Sequence, residues 1–209
     1  MALVKHNNNS ISAVTSMASL TTGSMTLIKE QTASSSASIS FVDGSSDVVL
    51  DSTYPIYLFK FINIHPQNSG EALKVNFSSD GGSNYNVTKT TTVFVSQHFE
   101  NDSSASLSYV TGQDTAQGTG DQILNVLAND NDSGCSGEMF LYNPSSTTFV
   151  KHFMARTESF VVSGGNPKLQ DQFVAGYCNT TSAIDGVKFL ITTGNIDAGT
   201  IKLYGIKDS

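Results

Sequence analysis

At 209 residues, with 38% hydrophobic and 14% charged side chains and a formal net charge of −7, the chain is long enough for one good core and too short for two generous ones. Its eleven Lys and Arg residues are scattered, which argues against a phosphate-binding groove, and no apolar run approaches the roughly 18 residues that span a bilayer; neither nucleic acid nor membrane is an expected partner. Ser and Thr together fill roughly a quarter of the chain, so polarity comes from hydroxyls rather than charge, a balance that suits strands and turns better than helices.

Residues 1–32 read as an N-terminal attachment arm and linker. Isolated apolar side chains (Leu3, Val4, Ile11, Val14, Met17, Leu20) stand among small polar ones and match neither helical nor strand periodicity. Such a segment cannot bury its own apolar groups, so it is expected to dock on another subunit, with Leu3, Val4, Ile11, Val14 and Leu20 as the anchoring side chains. The apolar stretch of a secretory signal is missing, so synthesis in the cytoplasm is expected. A hydroxyl-rich stretch, Thr32 to Ser40, leads into the globular part, and the boundary is set near residue 32, with one β domain over 33–209.

From there strands and turns alternate. Ala37 to Val42 is short; Ile56 to Ile64 is apolar on both alternating faces and reads as a central strand covered on each side. Leu73, Val75 and Phe77 alternate with polar residues, and Ser79 to Ser83 closes that strand with a turn. Further strands are expected at Thr91 to Phe99, Ala105 to Val110, Gln122 to Ala128, Glu138 to Tyr142, Thr148 to Arg156, Gln172 to Cys178, Gly186 to Ile191 and Thr200 to Ile206. The four prolines stand at strand ends or in loops, and no strand–helix–strand alternation occurs. The expected fold is all-β: an antiparallel two-sheet β-sandwich, jelly-roll-like, behind an extended arm.

Chemistry-bearing motifs are sparse. There is no Gly-x-Ser-x-Gly elbow, no His-Glu-x-x-His, no phosphate-cradling loop and no dinucleotide fingerprint, and no catalytic residue is assigned. His98 and His152 fall opposite the core-facing set of their strands, so with His6 and His65 they read as surface or interface residues. The run Asn129 to Asp132, with Glu138 nearby, has the oxygen-rich character of a calcium loop but not its spacing, and Asn and Asp are equally the residues a turn selects; no metal or other cofactor is expected. Cys135 and Cys178 leave a disulfide or two buried thiols open, the thiols being preferred. With Trp absent, a sugar-stacking role falls to tyrosines, and Tyr85 and Tyr109, nearest to loops, are the candidate glycan contacts, whereas Tyr57, Tyr177 and Tyr204 read as core or interface.

Several segments, MALVKHNNNSISAV, YLFKFINIHP, DGGSNYNVTKTTT, LYNPSSTTFVKHF and the long C-terminal run from FVAGYCNTTS to YGIKDS, resemble a family of virion structural proteins of marine bacteriophages, including those that infect cyanobacteria. The resemblance covers nearly the whole chain. It implies a structural protein of the particle surface (a capsid decoration, or a fibre or collar subunit of head or tail), anchored by its arm on other virion proteins and assembled as a homo-oligomer, a trimer by analogy. The competing expectation is a tail-fibre module that binds a host receptor or surface glycan; an enzyme is not expected.

Overall fold

The computed structural model describes residues 24–163 and 165–207. Leu3, Val4, Ile11, Val14 and Leu20, the proposed anchors, lie outside the described residues. The described chain is all-β, with twelve strands: β1 (Met25–Thr32), β2 (Ser38–Val42), β3 (Ile56–Pro66), β4 (Ala72–Ser78), β5 (Lys89–Phe99), β6 (Ala105–Tyr109), β7 (Gln122–Val126), β8 (Cys135–Tyr142), β9 (Lys151–Ser163), β10 (Asn166–Cys178), β11 (Gly186–Ile191) and β12 (Ile196–Ile206). They form two antiparallel sheets, a large one ordered β1-β12-β3-β8-β9-β10-β5-β6 and a small one ordered β2-β11-β4-β7. The expected sandwich is therefore what forms.

Its topology is a jelly roll with two insertions. Setting β5–β6 and β9–β10 aside leaves β1-β12-β3-β8 facing β2-β11-β4-β7, with successive strands alternating between sheets except for β4 and β7, which pair within the small one. The inserted pairs extend the large sheet on one side only, beyond β8.

Two boundaries differ from the sequence reading. Met25–Thr32, assigned to the arm and linker, is an edge strand of the sandwich paired with β12, so the β domain begins before residue 33. Its apolar residues Met25 and Leu27 project outward while Ile28 packs on the core across a bulge, a mixed pattern that disguises the strand. Similarly, β9 and β10 run as one long hairpin through 151–163 and 166–178, although the sequence reading stopped at Arg156 and resumed at Gln172. The missing stretch carries Thr157, Ser159 and Gln170 on its buried face, where a hydrophobic pattern would be sought.

The core is aromatic at its centre. Phe189 of β11 meets Phe41, Phe59 and Phe61 edge-on, at ring-centroid distances of 6.3, 5.3 and 5.1 Å. Phe77 of the small sheet meets Phe153 of the large one at 4.9 Å. Farther out, where β7 alone faces the extended hairpin, buried hydrogen bonds replace apolar packing. Asn125 donates to the Thr157 carbonyl at 2.9 Å and accepts from Gln170 at 2.9 Å and Ser159 at 3.1 Å. Gln122 accepts the hydroxyls of Thr91 and Thr115 at 2.7 and 3.0 Å. These Asn125 and Gln122 contacts satisfy the groups they join, whereas the Oε1 of Gln172 nearby is buried with no partner among the described residues.

Candidate functional site

The outward face of the large sheet is the surface with the strongest character. Paired residues in a sheet point to the same side, so register fixes which side chains lie in line. One row runs Leu27, Tyr204, Leu58, Phe140, Met154, Ala175, Thr92 across β1, β12, β3, β8, β9, β10 and β5. The next row out contains Met25, Ile206, Ile56 and Tyr142. Together they make an apolar and aromatic belt across most of the sheet. Leu58 is 4% exposed although no described element lies over this face; its in-line neighbours Tyr204 and Phe140 flank it. The expectation that β3 is covered on both sides thus holds at Leu58 alone, since Ile62 farther along is exposed.

A third row bounds the belt with charge and then returns to aromatic residues: Glu30, Lys202, Lys60, Glu138, Arg156, Phe173, Phe94, Tyr109. Its ions pair locally. Lys202 meets Glu30 at 2.8 Å, Lys60 meets Glu138 at 3.7 Å, and Arg156 reaches Asp171 through two bonds of 3.1 and 3.0 Å. Both charges of each pair being satisfied, this row frames the belt without giving it a net sign.

On the same face a groove of about 450 Å³ is lined by Thr90, Thr92, Tyr142, His152, Met154 and Tyr177. The His152 and Tyr177 rings lie 6.0 Å apart, and Phe140 stacks beside Tyr142 at 6.2 Å. Ring faces beside two Thr hydroxyls can hold a ligand with both apolar and hydroxylated surfaces. Tyr177 and Tyr204 are therefore outward-facing surface residues, whereas Tyr57 is fully buried and donates its hydroxyl to the Asp51 carbonyl at 3.0 Å.

The two tyrosines singled out as glycan contacts lie on different sheets. Tyr85 packs on the small sheet, with the Lys188 ammonium 4.5 Å from its ring centre. Tyr109 ends β6 and donates its hydroxyl to Asp114 at 2.6 Å. They do not share a site; the tyrosines that converge are Tyr142 and Tyr177, which sequence reasoning missed because their meeting depends on the β8–β9–β10 register.

A second, more polar cleft of about 560 Å³ lies between Asn63, His65, Asn131, Asp132, Ser133 and Phe160. His65 hydrogen-bonds the Asp130 carbonyl at 3.2 Å and stands 3.9 Å from the Asp197 carboxylate. The Asn129 to Asp132 run serves as a turn here: Asn129 donates to the Gln67 carbonyl, and Ser133 closes back on Ala128 and Asp130. Glu138 points elsewhere, to Lys60. Among the described residues no three His, Cys, Asp or Glu side chains are grouped to hold a metal. Cys135 and Cys178 are separate, buried free thiols, and burial pushes both up to about 12. Compared with known proteins, the chain has no counterpart of significance: no family model, no curated protein and no solved structure matches it.

Proposed function

We propose that this protein is a non-enzymatic building block of the surface of a phage particle, and that it packs against other virion proteins through the outward belt of its large sheet. The observation that carries this reading is the belt itself, in which Met25, Leu27, Ile56, Phe140, Tyr142, Met154, Tyr204 and Ile206 project from a face that no described element covers. Contiguous apolar surface of that extent is rare on free monomers and marks contact with another protein. The family resemblance of the sequence supplies the setting, a capsid decoration or a fibre or collar subunit. Met25→Asp with Leu27→Asp, placed at half-exposed positions, should leave the melting temperature unchanged and abolish incorporation into particles; normal incorporation overturns the reading.

The alternative of a host-glycan-binding module is favoured by the Tyr142–His152–Tyr177 groove, whose ring faces and Thr hydroxyls suit a sugar ring. Calorimetry of the protein with neutral host-surface oligosaccharides decides it: saturable binding that Tyr177→Ala removes supports a receptor role, and no heat at millimolar sugar rejects it.

A further inference from the structure

The large sheet ends on β6, and that edge differs from its opposite edge. β1 carries devices that discourage strand addition, namely a bulge between Leu27 and Lys29 and the charges of Lys29 and Glu30. β6, with the sequence Ala-Ser-Leu-Ser-Tyr, has no charge, no proline and no bulge, and every residue in it is exposed. Among the described residues no strand pairs with its free side.

The direction of its free hydrogen-bonding groups follows from two bonds at its ends. Phe99 N–H donates to the Ser104 carbonyl and Val110 N–H to the Val93 carbonyl, each at 3.0 Å. In an antiparallel ladder alternate residues turn toward the same neighbour, so Ser104, Ser106, Ser108 and Val110 address β5. Ala105, Leu107 and Tyr109 then direct their N–H and C=O groups away from the sheet.

We infer that β6 pairs antiparallel with β6 of a second copy, about a two-fold axis at Leu107, joining the two large sheets into one continuous sheet. That axis sets Leu107 opposite Leu107, and Ala105 opposite Tyr109 of the second copy, small against large. Every outward N–H then meets an outward C=O, so the strand complements itself as an isologous contact requires. The side chains agree. Ala105, Leu107 and Tyr109 share the outward face with Phe94, which stacks on Phe173 at 4.8 Å and 19°. Leu107 is 73% exposed, Tyr109 55%, Leu169 54% and Phe94 40%, a cluster of apolar surface that pairing continues from one copy into the next. In a chain of net charge −7, a neutral strand is also where two copies approach with least repulsion.

This contact concerns the isolated protein and stands whether or not the particle reading does. Sedimentation of the full chain from about 1 to 100 µM should show a concentration-dependent dimer. Leu107→Pro removes one outward N–H and no bond to β5, so it should remove the dimer while circular dichroism and melting stay unchanged. Leu107→Cys should oxidise to a disulfide-linked dimer, because hydrogen-bonded antiparallel partners place their Cα atoms about 5.5 Å apart, within disulfide reach. A monomer at all concentrations overturns the inference, as does a dimer or trimer that survives Leu107→Pro with no Leu107→Cys cross-link. A monomer whose Leu107 amide is protected from hydrogen exchange also overturns it, since residues 1–23 of the same chain would then occupy the edge.

Discussion

Lys89 and Cys178 stand opposite one another on β5 and β10, and neither is exposed to solvent; Lys151 flanks Cys178 on the other side and is equally buried. The two ammonium groups end on carbonyls, Lys89 on Gly120 at 2.6 Å and Val87 at 3.2 Å, Lys151 on Thr180 at 3.1 Å.

Burial lowers the Lys89 ammonium from the usual 10.5 to about 8. Between those values the folded chain binds fewer protons than the unfolded one, so stability rises with pH across that window. From about pH 8 upward the Cys135 and Cys178 thiols act in the opposite sense, because burial raises both from the usual 9 to about 12. Because the thiols offset most of the lysine's effect, the lysine is read by difference: between pH 8 and 9 the stability of the protein in urea unfolding should rise by about 1 kcal/mol relative to that of Lys89→Met. Parallel pH profiles for the two proteins would show that another group titrates there.

Asn125 joins β7 to β9 and β10 with no solvent to replace it. Asn125→Ala removes the donor to the Thr157 carbonyl and the acceptor of the Gln170 side-chain amide, while the Ser159 hydroxyl keeps the Val126 carbonyl, and should cost about 3 kcal/mol in urea unfolding. Thr90→Ala, at the outer face of β5, should change stability by less than about 0.5 kcal/mol.

Gly137 sits in β8 at φ 148°, where an added Cβ would lie 2.3 Å from the Arg156 carbonyl oxygen and 2.7 Å from the Thr157 Cα. Both neighbours are backbone, so neither yields without breaking the β8–β9 ladder. Gly137→Ala should lower stability by roughly 3 kcal/mol or more, read as a fall in the urea midpoint.

The two thiols supply a probe of opening. Buried and held protonated at neutral pH, Cys135 and Cys178 should resist a thiol-specific disulfide reagent in the native protein and react at once in denaturant. Full labelling within seconds under native conditions would contradict their burial.

The residues by themselves determined the class of fold. Alternation in Leu73, Val75 and Phe77, the apolar run from Ile56 to Ile64, hydroxyls in place of helix formers and prolines held to strand ends can be read without coordinates, because side-chain period and ladder hydrogen bonding are local properties. What stayed hidden is what depends on partners far away in sequence. β1 is a strand because β12 offers it a ladder, and the far half of the β9–β10 hairpin is one because Asn125 satisfies its buried Thr, Ser and Gln groups. The belt from Leu27 to Met154, the meeting of Tyr142 with Tyr177 and the open edge at Leu107 likewise exist only once register is set. A sequence states which side chains are apolar, but only the pairing of strands decides which of them stand in line on a face that water, or another protein, must cover.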